Sequence, residues 1–123
     1  MYNVIMTKND QHQDPRRVRI ALRVSTTDQG EDGNGIQSQL DACEFYAREH
    51  GMEIVGVYRD VISGTSHPRD REGLSRLMRD LKEGETVLVH RRDRLSRDMY
   101  LGLWCEKEIQ RLGGTLESTD GGN

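Results

Sequence analysis

The sequence is poor in the residues that build disulfide frameworks, metal centres and membrane spans. It has 2 cysteines. Cys43 and Cys105 lie far apart, form no CxxC or metal-ligand spacing, and read as buried free thiols of a cytosolic protein, since a short secreted chain usually carries more. The 4 histidines, His12, His50, His67 and His90, fall in separate segments with no HxxxH or HExxH pair, which argues against a metal site. No GxxxxGK[ST] loop occurs, and GNGIQS holds two of the three glycines of a dinucleotide fingerprint in the wrong frame, so no cofactor is expected. No apolar run approaches the roughly 18–20 residues of a membrane span. The N-terminal MYNVIMTKNDQHQDPRR lacks the apolar core of a secretory signal, so a cytoplasmic protein without a membrane partner is expected. There is no internal repeat.

What remains is short and highly charged. In 123 residues, 33% are hydrophobic and 32% charged, which suits one domain with one modest core. A net charge of -3 excludes a freely basic nucleic-acid binder as a description of the whole chain. Of 18 basic residues, 15 are arginine and 3 are lysine. Arginine is the residue of bidentate phosphate and carboxylate recognition; a GC-rich genome, which favours arginine codons, is the plainer explanation.

Hydrophobic period organises the chain. Residues 1–15 are polar and aperiodic and read as a flexible tail. Arg17–Val24 alternates Val18, Ile20, Leu22 and Val24 inward, which predicts a strand. Ser25–Gly35 is a loop by composition. Ile36–His50 carries Ile36, Leu40, Cys43 and Ala47 at helical spacing, stopped by Gly51. Met52–Tyr58 predicts a second strand, and Asp60–Asp70 a turn-rich loop. Gly73–Glu83 repeats Leu74, Leu77, Met78 and Leu81 on one helical face. Thr86–His90 predicts a third strand. Ser96 is the expected N-cap of a helix bearing Leu101, Trp104, Cys105, Glu108 and Leu112, which Gly113-Gly114 ends. Thr115–Ser118 predicts a fourth strand. Alternating strands and helices predict an α/β fold with a mostly parallel sheet of about four to five strands, flanked by helices on both faces.

Sites in such sheets gather at the carboxyl ends of the strands. The first strand ends in Arg23-Val24-Ser25, the second in Arg59-Asp60, and the third in Arg91-Arg92-Asp93-Arg94-Leu95-Ser96-Arg97. A lone loop arginine is usually a solvated surface charge. Several converging on one face repel one another and imply an anionic partner, for which a phosphate is the natural candidate. A serine after a strand is more often a cap or turn residue than a nucleophile, and Ser25 has no GxSxG elbow. A hydroxyl beside arginines nevertheless suits phosphorus chemistry, because guanidinium favours an alkoxide and stabilises charge growing on phosphorus.

Four blocks in order, RVSTTDQ, IQSQLDACEFYAREHG, YRDVISGT and DREGLSRLMRDLKEGETVLVHRRDRLSRD, resemble the catalytic domain of the serine recombinases, the resolvases, invertases and serine integrases. The resemblance covers Arg19 to Ser118. The long interval between Ser25 and Gln39 resembles the large serine recombinase subgroup. The resemblance implies a resolvase-like three-layer domain that cuts and rejoins double-stranded DNA through a 5′-phosphoserine link, with no metal or ATP. It implies Ser25 as nucleophile and Arg23, on the same side of the strand, as a phosphate contact. Gln29 and Gln39 match glutamines that order the site, Asp60 an acidic position that orients basic groups, and Arg71 an activating arginine. Arg94 and Arg97 match phosphate-binding positions, three apart as on one helical turn, and Asp93 is a candidate general acid between arginines. Arg91 and Arg92 fall outside the motif and are expected at the surface or on the DNA backbone.

Residues 16–123 thus read as a catalytic domain that stops before the long dimerisation helix and DNA-binding domain with which the family continues. The resemblance implies dimers and a synaptic tetramer for the full-length protein. Two rival readings are a resolvase-like fragment that acts only as a protein-interaction module, and a small α/β nucleotide-binding or phosphotransfer domain, against which the missing glycine loop counts.

Overall fold

The computed structural model describes residues 15–25, 35–63 and 65–121. Residues 1–14 of the expected tail (1–15), and most of the loop after Ser25, including Gln29, lie outside the described residues. The elements run β1 (Arg16–Val24), α1 (Ile36–Glu49), β2 (Met52–Val61), a 3-10 turn (Pro68–Asp70), α2 (Glu72–Asp80), β3 (Thr86–Val89), α3 (Arg92–Leu95), α4 (Met99–Arg111) and β4 (Thr115–Ser118). The sheet has four strands in the order β2-β1-β3-β4, and every neighbouring pair is parallel.

Each parallel crossover lays a helix on one face of the sheet, and together they cover both. Val18, Ile20 and Leu22 of β1 pack with Leu88 of β3 against Cys43 and Ala47 of α1. On the other face Ala21, Tyr58, Val87 and Val89 meet Leu74 and Leu77 of α2 and Cys105 and Ile109 of α4. From Val18 to Val24, every β1 residue is buried. The alternation in RVRIALRV therefore marks two covered faces rather than a dry face and a wet one. The odd positions Arg19 and Arg23 lie among the buried charged residues.

A register shift between Val18 and Arg19 sets the faces of β2. Val18 pairs with Ile54, and Arg19 pairs with Gly56, so Val55 is the extra residue of a bulge. Before it, Met52 and Ile54 pack on the α1 side. After it, Tyr58 packs on the α2 side, and Asp60 comes opposite Arg23.

Three boundaries differ from the sequence reading by more than one residue. β2 runs three residues past Tyr58, because Arg59, Asp60 and Val61 pair with Leu22, Arg23 and Val24. α2 ends at Asp80, where Leu81 turns to an extended conformation and fills the core from the cap position. The helix expected to follow Ser96 begins at Met99, and a separate one-turn helix, α3, precedes it. Ser96 caps the carboxyl end of α3, and Asp98 is the N-cap of α4, accepting from the Leu101 N–H at 3.0 Å. The Asp98 carboxylate reaches the first turn and satisfies one of its free donors. The buried face of α4 is Cys105 and Ile109, while Trp104 is 40% exposed.

Candidate active site

The carboxyl ends of β1, β2 and β3 bring together Arg23, Asp60, Arg71 and the turn Arg91–Arg97, beside Ser25. Ser25 leaves the end of β1 half-buried. Two residues earlier, Arg23 is 0% exposed. Its Nη1 donates to the Ile62 carbonyl at 3.1 Å and its Nη2 to the Asp93 carbonyl at 3.1 Å, while its buried Nε has no hydrogen-bond partner among the described residues. One guanidinium thus ties the end of β1 to the segments that follow β2 and β3. Burial, and then the positive fields of Arg71, Arg97 and Arg94, push its pKa down to about 10. Arg71, before α2, and Arg94 and Arg97, after β3, thus all act on Arg23 at this pole of the sheet.

Arg71 is the second buried tie. It precedes α2, and its Nε donates to Asp60 Oδ2 at 3.2 Å. Its Nη1 donates to the Leu95 carbonyl and its Nη2 to the Arg94 carbonyl at 3.5 Å. Burial lowers its pKa, and the charge of Asp60 opposes that shift. Asp60 also accepts from the N–H groups of Gly73 at 2.7 Å and Leu74 at 3.0 Å. A carboxylate from β2 thereby satisfies the first turn of α2 and neutralises a guanidinium that burial would otherwise make costly. Gly73 permits the approach, because a Cβ there would sit 2.6 Å from the Arg59 carbonyl oxygen.

Gln39 of α1 is fully buried. It hydrogen-bonds both main-chain groups of Arg23. Its place is a structural tie to the strand end.

The arginine block is arranged differently from the single helical turn expected. Asp93 and Arg94 lie in the one-turn α3, and Arg97 follows Ser96 in the bend beyond it. A shared helical face is not what relates the two arginines. Arg94 is buried and Arg97 exposed. Arg94 Nε lies 3.8 Å from Asp93 Oδ1. Arg92, expected at the surface or on DNA, instead forks onto Glu106 of α4, with Nη1 to Oε1 at 2.9 Å and Nη2 to Oε2 at 3.3 Å. Arg91 is exposed.

His90, immediately after β3, was not singled out by motif. Its Nδ1 lies 2.9 Å from Thr119 Oγ1, whose own proton goes to the His90 carbonyl. That leaves the ring nitrogen as the donor. Burial, then Arg91 and Arg94, lower its pKa. Its position at a strand end was the only sequence signal. Among the described residues, no group of His, Cys, Asp and Glu is arranged to hold a metal ion, and no helix is long and apolar enough to cross a membrane.

The model of the family described as "Resolvase, N terminal domain" matches residues 18–122. A resolvase of Escherichia coli is 35% identical over 95 residues, covering 75% of this chain and 40% of that protein. The transposon Tn3 resolvase of Escherichia coli is 34% identical over 86 residues, covering 70% of this chain and 45% of that protein. The chain thus spans less than half the length of these relatives. Among solved structures, the N-terminal catalytic domain of TP901-1 integrase superposes with a TM-score of 0.74 at 32% identity, covering 85% of this chain and 79% of that one. A resolvase-family site-specific recombinase from Streptococcus pneumoniae gives a TM-score of 0.69 at 31% identity, covering 86% and 74%. The chain belongs to the resolvase N-terminal domain family, whose fold is that of the serine recombinase catalytic domains.

Proposed function

We propose that this domain breaks and rejoins DNA strands, with Ser25 as the nucleophile. The observation that carries the reading is the convergence of Arg23, Arg71, Arg94 and Arg97 beside Ser25, close enough for three of them to depress the pKa of the fourth. Such like charge is unfavourable by itself and is relieved by a phosphate diester.

In the proposed step, Ser25 Oγ gives up its proton to solvent and attacks phosphorus. The new bond is Ser25 Oγ–P, the bond that breaks joins phosphorus to the 3′ oxygen, and that oxygen leaves with a proton as a hydroxyl. Rejoining is the reverse attack by a 3′-hydroxyl, so the phosphoserine ester conserves the energy of the broken diester. Arg97, exposed in the bend, and Arg94 are the proposed phosphate ligands, stabilising charge on the pentacoordinate phosphorus. Asp93, half-exposed beside Arg94, is the candidate proton donor. Arg71, Asp60 and Gln39 hold the framework, and Gln29 belongs to the expected set although it lies outside the described residues.

The test is covalent trapping in cells that express the whole gene. Lysis in denaturant, capture of the protein and nuclease digestion leave a Ser25 peptide carrying a nucleotide, read by mass spectrometry. The expected adduct is absent in Ser25→Ala. An adduct of equal yield in Ser25→Ala, or none in the wild type, overturns the assignment.

One feature favours a protein-contact role as a second reading. The face of α4 presents Met99 at 81% exposure and Tyr100 at 76%, with Leu103 and Trp104 beside them. Isolated apolar residues are ordinary at a surface, but a contiguous group marks a contact site. Self-association of recombinase subunits and a purely interacting module both accommodate it. The Ser25 adduct separates them.

A further inference from the structure

We propose that Arg92 and Glu106 form a positioning pair that fixes the arginine turn against α4. The inference rests on the recombinase reading above and adds residues outside the family motif. α3 is a single turn of four residues, and so short a helix has too few internal hydrogen bonds to hold its own shape. External ties supply the rigidity. Arg23 holds the Asp93 carbonyl, and Arg71 holds those of Arg94 and Leu95. These grip the carbonyls of its second, third and fourth residues, the Ser96 N–H takes that of Arg92, and the Arg92 side chain reaches out to α4.

α4 provides that anchor. Cys105 and Ile109 seat it in the core, and Glu106 projects beside them. A cleft of about 300 Å³ lies between α3 and α4, walled by Leu95, Ser96, Leu103 and the two charged residues. Near the connection the helices are joined by Ser96, whose Oγ donates to the Asp98 carbonyl at 3.1 Å and accepts from the Asp98 N–H at 3.1 Å. Across the cleft they are joined by the Arg92–Glu106 fork. Two parallel guanidinium–carboxylate bonds fix an orientation as well as a distance, which a lysine does not do. The pair closes the open side of the cleft and so sets the placement of Arg94, two residues on, and of Arg97 in the bend beyond. Its side chains are 35% and 24% exposed, so it contributes little to folding and responds to salt.

The experiment measures the yield of the Ser25 adduct in cells for Arg92→Met, Glu106→Gln, the double Arg92→Met/Glu106→Gln, and the exchanged pair Arg92→Glu/Glu106→Arg. Melting temperatures are measured on the purified 123-residue chains. Each single change should lower the yield about fivefold, the size expected for losing an ion pair of this exposure. The double should match the singles, the exchanged pair should recover to within about twofold of wild type, and melting should shift by no more than about 4 °C. Wild-type yields in both singles, or losses that multiply in the double, overturn the pair. A fall in yield matched by a large fall in melting temperature assigns the residues a folding role and also overturns it. If the wild type gives no adduct, the recombinase reading falls and this inference falls with it. A normal adduct with indifferent variants removes this inference alone.

Discussion

The side-chain amide of Gln39 pairs with the main chain of Arg23 in both directions, its Nε2 donating to the Arg23 carbonyl at 3.0 Å and its Oε1 accepting from the Arg23 N–H at 3.3 Å. One side chain of α1 thereby satisfies the two backbone groups of a fully buried residue, two positions before Ser25. The same residue's guanidinium holds the chain after β2 and after β3. Arg23 is a junction, fastened through its backbone on one side of the sheet and through its side chain on the other.

Replacing Gln39 by Leu keeps the bulk and removes both bonds, leaving a buried donor and acceptor unmet. The expected loss is about 2–4 kcal/mol. A urea titration checks it, with the midpoint falling and the slope unchanged. A loss below about 1 kcal/mol would show that another group takes over the Arg23 backbone.

Gly73→Ala places a methyl 2.6 Å from the Arg59 carbonyl oxygen and 3.0 Å from Asp60 Oδ1. The closest obstacle is backbone held in the sheet, so the start of α2 must move. About 1–3 kcal/mol of destabilisation is expected, as for other overpacked sites, with Arg71 displaced from Asp60. Thermal denaturation measures the cost, and a melting temperature equal to wild type would refute the tight contact.

The opposite pole of the sheet governs stability in acid. Glu85 is buried beside Arg19, whose Nε donates to Oε1 at 2.7 Å. Burial raises the carboxyl pKa, but hydrogen bonds from Arg19 and the Lys82 N–H and the charges of Arg19 and Arg17 outweigh it, leaving the value below the ordinary 4.5. A depressed carboxylate contributes stability that is complete above its unfolded value and is lost as pH falls through the folded one. Glu85→Gln should therefore be less stable than wild type at neutral pH and should lose less stability between about pH 5 and pH 3. Parallel stability curves for the two proteins in that range would contradict the assignment.

The order of elements and the parallel sheet were legible because apolar period and turn residues act locally. The strand ends that carry Arg23, Asp60 and Arg94 could be read for the same reason. The roles of the arginines were less legible. Nothing local distinguishes Arg23, which grips two carbonyls, from Arg97, which faces solvent, since burial depends on what packs above each one. The three-residue step from Arg94 to Arg97 suggested one helical face, but a one-turn helix ends between them at Ser96. Arg92 looked like surface charge because Glu106 lies in the next helix and the two are paired only by folding. Asp98, two residues beyond Ser96, is the cap of α4, a position that composition alone did not single out.

The single unpaired residue in β2 acts as a phase shifter. Met52, Ile54, Tyr58 and Asp60 are all even-numbered, yet the first two face α1 and Tyr58 faces α2, with Asp60 opposite Arg23. A deletion of Val55 would remove the bulge and restore unbroken alternation while leaving Tyr58 opposite Ala21 and Asp60 opposite Arg23. Tyr58 would stay in reach of Arg19, and Asp60 of Arg71. Length at this point of the strand is therefore less constrained than identity at Tyr58 and Asp60, which keep their partners whether or not the extra residue is present.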